Sequence, residues 1–298
     1  MHVISARELQ RGGDMAHLRQ GAPQSVALRI AQIGVRIETA VPGLAAELAL
    51  RYAGHLDERA PDFVYRIFPS PQGYAFWCDH DGAWQWKAGS LPLDAIAFLA
   101  DAAMLSALVH FDPLLASVHA AAVAAHGCAA AIAGDSTAGK TTTLLACARA
   151  GLQVYSDERA LVRQGIVHSF LRRCSVRPDG RSRLLADDDA DALAHAMHAR
   201  GDIALAAVFG EAAVAPPLAL RALFVLDGYA ARPFIEPIDA TAALPAVSRW
   251  FDTCGGAIER TARALGLLRS LHCFRLTLGT PRESALAVRE TLEQLAWR

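Results

Sequence analysis

A short segment bounded by glycines carries the residue types that bind polyphosphate. Residues 134–141 read Gly-Asp-Ser-Thr-Ala-Gly-Lys-Thr, a full match to the pattern G-x-x-x-x-G-K-[ST]. In this pattern the loop amides surround the phosphates, the lysine contacts the β- and γ-phosphate oxygens, and the final hydroxyl ligates Mg²⁺. The sequence therefore predicts a nucleoside triphosphate site. The residues predicted to contact the nucleotide are Gly134, Asp135, Ser136, Thr137, Ala138, Gly139, Lys140, Thr141 and Thr142.

The flanks of this segment supply the strand and the helix that the pattern requires. Residues 129–133 are apolar and long enough for one buried strand, and residues 142–151 contain helix formers and end at a glycine. This order places the loop amides and the positive end of a helix around an anion. The context favours a nucleotide site over a chance match in a chain rich in alanine and glycine.

Two adjacent carboxylates end a short predicted strand that follows the helix predicted over 142–151. Asp157 and Glu158 directly follow Ser156, and Asp157 lies sixteen residues after Thr141. If that strand lies beside the loop strand, one carboxylate can contact Mg²⁺ and the other can accept a proton from an incoming hydroxyl. Solvated turn acids are the alternative, although α/β sites gather at strand ends. Asp157 is therefore a candidate base, and Asp157, Glu158 and Thr141 are candidate metal ligands.

Two further features could complete a site for phosphoryl transfer. His119 opens a predicted strand, 118–125, that leads toward the loop strand, although a lone histidine is more often a surface or core group. A basic segment, 172–183, carries guanidinium groups that suit a substrate carboxylate or a transferring phosphoryl group. An exposed loop kept soluble by its charge is the other interpretation of this segment. The candidate substrate-contacting residues are Arg172, Arg173 and Arg177.

Composition limits the class of protein. The 298 residues are 53% hydrophobic and 20% charged, as in a globular protein with a large core. A net charge of −1 gives no general attraction to nucleic acid or to anionic membranes. The chain has no uninterrupted apolar run of about 18 residues and begins without a charged-then-apolar signal pattern. We therefore expect a cytoplasmic protein that binds neither nucleic acid nor membrane.

The order of predicted elements indicates two domains. Residues 1–110 read as a smaller α+β module that ends in a long helix over 91–110. Residues 111–298 contain the segment 134–141, the predicted phosphate loop, together with hairpin-like strands over 118–133 and a closing helix over 281–298. Strands joined by a hairpin run antiparallel, which argues against a purely parallel sheet. We therefore predict an α/β fold with an α+β N-terminal module and a P-loop core built on a mixed sheet.

The spacing of the histidine, the loop and the acidic pair resembles the core of the HPr kinase/phosphorylase family, whose members use ATP to phosphorylate a serine of a carrier protein. In that family a histidine opens the strand before the hairpin, the loop reads Gly-Asp-Ser-Gly-x-Gly-Lys-Ser, and an acidic pair follows Ser or Ala. The resemblance covers residues 119–162. It implies a kinase core of the C-terminal-domain type of that family, with ATP and Mg²⁺ as cofactors and a homo-oligomeric assembly. It also implies catalytic roles for His119, Lys140 and Asp157, and a role for Glu158 at the metal ion.

Three departures from that family pattern bear on the substrate. Thr137 replaces the inner glycine of the loop, so we expect its φ angle to stay below zero. Thr141 replaces a serine and preserves the hydroxyl ligand. The later signature Glu-x-Arg-Gly-x-Gly, tied to carrier recognition and to reverse phosphorolysis, has no counterpart after Glu158. The resemblance therefore implies a divergent enzyme that acts on another substrate and works as a kinase only.

Divergent relatives of about this length include the tailoring kinases of lasso-peptide gene clusters, which phosphorylate a serine hydroxyl at the C-terminus of the precursor. The layout here, an N-terminal sheet module followed by a kinase core and a final strand and helix, is similar to theirs. This resemblance implies a peptide or protein substrate with an acceptor serine, such as a lasso-peptide precursor. Two alternatives stay open. The acceptor could be a small molecule, since phosphoenolpyruvate carboxykinases share a related nucleotide core, or nucleotide binding could drive assembly with a partner.

Overall fold

The computed structural model of the chain describes residues 2–4, 24–70, 73–78, 82–87, 91–172, 174–185, 202–203, 216–249 and 251–297. The chain divides into two compact units, Met1–Pro113 and Leu114–Arg298. The first is a sheet with helices, and the second is a larger mixed α/β unit that contains the phosphate loop.

Within its described residues, the N-terminal unit is a mixed sheet with two α-helices and a 3₁₀ turn. Its strands are β1 His2–Ile4, β2 Gln24–Ile30, β3 Ile33–Thr39, β4 Phe63–Ser70, β5 Gly73–Cys78 and β6 Gly82–Lys87. Its helices are α1 Leu44–Arg51 and α2 Leu93–Phe111, and the 3₁₀ turn is Ala53–His55. The spatial order is β1-β6-β5-β4-β3-β2. Strands β3 and β4 run parallel because α1 connects them, and the other neighbours are antiparallel.

The hairpin of β2 and β3 shows how the chain builds this sheet. Alternate residues along the second half of each strand are buried, as in a sheet with one covered face. The two turn residues, Ala31 and Gln32, have φ angles of 50° and 73°. Positive φ at both central positions is what a type I′ hairpin turn requires, because its twist matches that of the strands. Neither residue is Gly, Asn or Asp, so the sequence carries no turn signal here and does not predict β2.

Helix α2 is long and apolar enough to cross a membrane by length and composition, with a mean hydropathy of 1.6, and it is the one such helix among the described residues. Half of its apolar window is buried inside the protein. Its Asp101 is also buried and accepts hydrogen bonds from the Tyr52 hydroxyl at 2.5 Å and from Arg51 at 2.8 Å. A buried carboxylate with such partners is typical of a packed protein core. We therefore interpret α2 as a core helix of the N-terminal unit.

The C-terminal unit is a mixed sheet between helices. Its described strands are β7 Leu115–Val118, β8 Ala120–Ala125, β9 Cys128–Ala133, β10 Gln153–Ser156, β11 Ala160–Arg163, β12 Ile166–His168, β13 Cys174–Ser175, β14 Asp202–Ile203, β15 Leu218–Tyr229, β16 Phe234–Ile238, β17 Phe251–Asp252 and β18 His272–Leu278. Its described helices are α3 Lys140–Arg149, α4 Pro178–Leu185, α5 Ala240–Ser248, α6 Ala257–Arg269 and α7 Pro281–Ala296.

The central strands follow in the order β10-β8-β9-β15, and β18 pairs with the second half of β15. Strands β9, β15 and β18 run parallel to one another, whereas β8 is antiparallel to both β9 and β10. The β8–β9 hairpin turns at His126 and Gly127, both with positive φ. The predicted α/β fold with a mixed sheet is therefore confirmed.

Helices cover both faces of this sheet. Leu144 of α3 and Val288 of α7 share one core cluster with Ile132 of β9. Val247 of α5 and Leu268 of α6 belong to the cluster on the opposite face. Strands β8 and β9 consist mostly of alanine, and nearly all of their residues are buried. Small side chains let helices approach such strands closely on both sides.

The strand predicted over 118–125 is interrupted. β7 ends at Val118 and β8 begins at Ala120, so His119 lies in a bend between them. β7 pairs with β11 and β17, whereas β8 pairs with β9 and β10. His119 therefore stands where the chain passes from one part of the sheet to another.

Candidate active site

The phosphate loop joins the end of β9 to the start of α3. Residues 134–139 form the connection, and the helix begins at Lys140. Gly139 is the N-cap residue with a φ of 106°, and its carbonyl accepts a hydrogen bond from the Thr143 N–H at 2.9 Å. The first N–H groups of a helix lack acceptors within the helix and carry the positive end of its dipole. The loop and the helix start can thus hold an anion.

Two glycines let the loop lie directly on the sheet. A Cβ added at Gly139 would come within 2.7 Å of the Tyr229 hydroxyl and 2.8 Å of Leu278 Cδ1. A Cβ added at Gly134 would come within 3.0 Å of Leu226 Cβ. Since these neighbours lie on β15 and β18, the ends of those strands form the floor of the loop.

The backbone of Thr137 corrects one expectation from the sequence. Its φ angle is +74°, not below zero. Left-handed backbone costs an L-residue about 1–2 kcal/mol, and a β-branched side chain is especially unsuited to it. The Thr137 hydroxyl donates a hydrogen bond to the Ser136 carbonyl within this turn. The loop thus imposes a conformation that glycine adopts freely, and strain of this kind is common at ligand sites.

The ammonium group of Lys140 lies in the curve of the loop. Its Nζ donates hydrogen bonds to the carbonyls of Gly134 at 2.8 Å and Asp135 at 2.9 Å. Burial lowers the pKa of Lys140, and the charges of Glu158 and Asp157 act in the opposite direction. The predicted phosphate-binding lysine and the predicted acidic pair therefore share one electrostatic environment.

Strand direction explains why these distant residues meet. The strand that ends at the acidic pair, β10, does not lie directly beside the loop strand β9. Strand β8 lies between them. Since β8 is antiparallel to both, the ends of β9 and β10 and the start of β8 lie at one edge of the sheet. The register pairs Ala120 with Ala133 and Ala122 with Ser156. The phosphate loop directly follows Ala133, the acidic pair directly follows Ser156, and His119 directly precedes Ala120.

The carboxyl group of Asp157 is buried and only partly satisfied. Burial raises its pKa to about 6, the charge of Glu158 adds to this effect, and Arg172 opposes it. The Cys174 side chain hydrogen-bonds to the carboxyl group, whereas its Oδ1 atom has no hydrogen-bond partner among the described residues. A buried polar atom without a partner is costly. Such an atom at the rim of a phosphate loop points to a ligand group that would complete it.

Glu158 is held by a buried arginine. Its carboxylate forms an ion pair with Arg172, whose side chain is only 7% exposed and lies with its guanidinium 5.4 Å from the centroid of the Phe170 ring. Burial tends to raise the pKa of Glu158, but the Arg172 charge and hydrogen bond outweigh it, and the pKa is lowered. Arg172 thus stabilises the ionised form of Glu158. It was predicted to contact the substrate, but its guanidinium instead pairs with this carboxylate.

The imidazole of His119 joins the same group. It is half-buried and hydrogen-bonds to the backbone of Glu158. Burial lowers its pKa, and the cations of Lys140 and Arg159 lower it further, against the opposing charge of Glu158. A pKa below the ordinary value near 6.5 keeps the ring neutral at pH 7. The structure therefore brings together His119, Lys140 and Asp157 at one edge of the sheet.

The basic segment lies across the loop. Arg177 is exposed, and its Nη2 donates a hydrogen bond to the Ser136 hydroxyl at 3.3 Å. The following helix, α4, lies so close that a Cβ at Gly180 would come within 2.7 Å of the Thr142 hydroxyl. Arg173, the remaining candidate for substrate contact, lies outside the described residues.

Tyr229 is a site residue that sequence reasoning missed. It ends β15, and its hydroxyl donates a hydrogen bond to the Ala138 carbonyl at 3.4 Å. Its position could have been suspected from the rule that α/β sites gather at strand ends. The pairing of β15 with β9, which puts that strand end beside the loop, cannot be read from the sequence.

The donor set fits a magnesium ion. Across the described residues, no group of three His, Cys, Asp or Glu side chains is arranged to hold a metal by itself. Magnesium usually takes one or two carboxylates and completes its shell with water and phosphate oxygens. Thr141 at the first turn of α3 and the carboxylates of Asp157 and Glu158 are hard oxygen donors of this kind, and Asp157 Oδ1 is without a protein partner.

Comparison with known proteins returns little sequence similarity. No family model matches the chain, and no curated protein matches it. Among solved structures, the HPr(Ser) kinase/phosphatase from Coxiella burnetii is similar over 60% of this chain and 88% of that chain, with 13% identity and a TM-score of 0.31. A TM-score of this size does not define a shared fold.

Gly139→Ala should destabilise the protein by about 2 kcal/mol and abolish nucleotide binding, because alanine is unfavourable at a φ of 106° and its methyl group would displace the ends of the Tyr229 and Leu278 side chains. Gly127→Ala is the matched control, since Gly127 has a φ of 75° but open space around its Cβ. We expect it to cost about 1 kcal/mol and to preserve binding. Urea unfolding and ATP titration measure both effects. Equal losses in the two variants would contradict the close approach of the loop to Tyr229 and Leu278.

Asp157→Asn should stabilise the protein at pH 8. Because the folded pKa of Asp157 is raised to about 6, its contribution is favourable at low pH and is lost as the pH rises through 6. The neutral amide avoids that loss, so we expect a gain on the order of 3 kcal/mol at pH 8 that shrinks toward pH 4. Thermal unfolding at several pH values measures it. The exposed Asp227, paired with Arg275, supplies the control Asp227→Asn, which should give no such gain.

Proposed function

We propose that this chain is an ATP-dependent kinase that transfers the γ-phosphoryl group to a serine hydroxyl of a peptide or protein. One observation carries the proposal. Asp157, a buried carboxyl group with a raised pKa, acts electrostatically on Lys140 of the loop. Both residues lie at the edge of the sheet where β9 and β10 end. Perturbed carboxyl groups beside an anion site are typical of functional centres. A simple nucleotide-binding module has no need of such a base.

Asp157 is suited to remove the proton from the acceptor hydroxyl. With a pKa of about 6, it is mostly ionised at pH 7 and more basic than an ordinary carboxylate, which general base catalysis favours. The unpartnered Oδ1 atom supplies an acceptor position. The ion pair with Arg172 keeps Glu158 ionised, so the two neighbouring carboxylates differ in role because their environments differ.

Lys140 and His119 would act on the phosphate side. The Lys140 ammonium can exchange its two carbonyl contacts for phosphate oxygens and so hold and orient the transferring group. The His119 ring is neutral and hydrogen-bonds to the Glu158 backbone. It can form a hydrogen bond to the reacting groups without adding a charge to the site. Thr141 and Glu158 would hold Mg²⁺, and Asp157 would act as the base rather than as a third metal ligand. When bound, the ion neutralises charge on the phosphate oxygens.

For the acceptor, we propose a peptide or protein segment with a serine, and in particular a serine at a C-terminus, as in a lasso-peptide precursor. The exposed guanidinium of Arg177 stands over the loop residue Ser136. A planar guanidinium can pair with a carboxylate through two hydrogen bonds. A terminal carboxylate next to the acceptor hydroxyl would place both groups within reach of Arg177 and Asp157.

Incubation with γ-labelled ATP and serine peptides tests the proposal. We expect label in a serine phosphoester with the wild-type protein. Asp157→Asn should bind ATP with similar affinity but transfer at least about 100-fold more slowly, since general base catalysis contributes that much. Binding without transfer to any peptide would instead favour a nucleotide sensor, and label in a small molecule would favour a metabolite kinase. Unchanged turnover in Asp157→Asn would remove Asp157 as the base.

Arg172→Gln should move the acid limb of the pH–activity profile to higher pH. The Arg172 charge lowers the pKa of Asp157, so its removal raises that pKa above about 6 and leaves less of the ionised base at pH 7. Transfer should fall at pH 7 and recover in part near pH 9. The profile of kcat/KM against pH measures the shift. Arg172→Lys retains a charge and should shift it less, and Arg269→Gln on the exposed face of α6 should leave it in place.

A further inference from the structure

An aromatic ring and a guanidinium group form an exposed stack next to the phosphate loop. The Tyr229 side chain is 47% exposed. The guanidinium carbon of Arg183, on the exposed side of α4, lies 4.0 Å from the centroid of the Tyr229 ring. None of the catalytic roles proposed above uses either side chain. Two stacked planar groups on a surface are a suitable platform for a third planar group.

This stack is fixed to the part of the loop where the helix begins. The Tyr229 hydroxyl contacts the Ala138 carbonyl, and the Cβ position of Gly139 lies 2.7 Å from the same hydroxyl. On the other side, α4 rests with Gly180 against the Thr142 hydroxyl. Tyr229 and helix α4 therefore flank residues 138–142.

The position of the stack follows the path of a bound nucleotide. In a phosphate loop the amides at the helix start take the α- and β-phosphates, and the lysine takes the terminal end. The ribose and the base continue from the α-phosphate, so they leave the loop near its junction with the helix. In this chain, that junction is the place that Tyr229 and α4 border.

We propose that Tyr229 and Arg183 form the subsite for the nucleobase and bind it by stacking. This inference rests on the proposed binding of a nucleoside triphosphate at the loop, and it adds the means by which the base is held. Stacking recognises the face of a base rather than its hydrogen-bonding edge. The ligand class is therefore purine nucleoside triphosphates, with ATP and GTP bound about equally well.

Titration calorimetry with ATP, GTP and inorganic tripolyphosphate, each with Mg²⁺, tests this subsite. Tyr229→Leu should weaken ATP and GTP about 5- to 150-fold, the equivalent of one lost base–aromatic stack. Its affinity for tripolyphosphate, which has no base, should stay the same. Tyr229→Phe keeps the ring and should lose less than Tyr229→Leu. Phe98→Leu, at an exposed aromatic of the N-terminal unit, is the matched control.

Each outcome separates the subsite from the proposed function. Equal losses of ATP and tripolyphosphate in Tyr229→Leu would mean that Tyr229 only supports the loop, which overturns the subsite. Wild-type protein that binds tripolyphosphate as tightly as ATP, or ATP far more tightly than GTP, would also overturn it while leaving nucleotide binding intact. Wild-type protein that binds none of the three probes would overturn the nucleotide function itself, and the subsite with it.

Discussion

The site depends on mutual neutralisation among charges that are withdrawn from water. Lys140, Asp157 and Arg172 are each no more than 8% exposed, and Glu158 pairs with Arg172 and acts electrostatically on both Lys140 and Asp157. Burying an ion is costly unless nearby charges and hydrogen bonds compensate it. The ionisation of each group therefore depends on the others. Burial raises the pKa of Asp157 in spite of the Arg172 charge, whereas the direct ion pair with Arg172 lowers the pKa of Glu158.

The sheet makes this arrangement possible. Because β8 runs antiparallel between β9 and β10, it carries His119 to the edge at which both of those strands end. The alanines of β8 and β9 leave room for helices on both faces, so that α3 can start directly above the strand ends. The charges and the dipole of α3 thus meet at one place without any long loop between the sheet and the site.

The sequence predicted those parts of the site that depend on neighbours along the chain. The loop, its flanking strand and helix, and the position of Asp157 at a strand end all follow from local patterns. The burial of Arg172, the contact of Tyr229 with the loop and the interposed β8 depend on strand pairing, which local patterns do not encode. The φ angle of Thr137 was wrongly predicted because residue type was taken to decide it, whereas closure of the loop decides it.

The bend at His119 has a mechanical consequence. His119 joins two hydrogen-bonded ladders, one that pairs β7 with β17 and one that pairs β8 with β9. A displacement of one ladder relative to the other would therefore move the imidazole with respect to the phosphate loop. Phe251, which pairs with Val118 directly before His119, would then influence the position of the imidazole through the backbone.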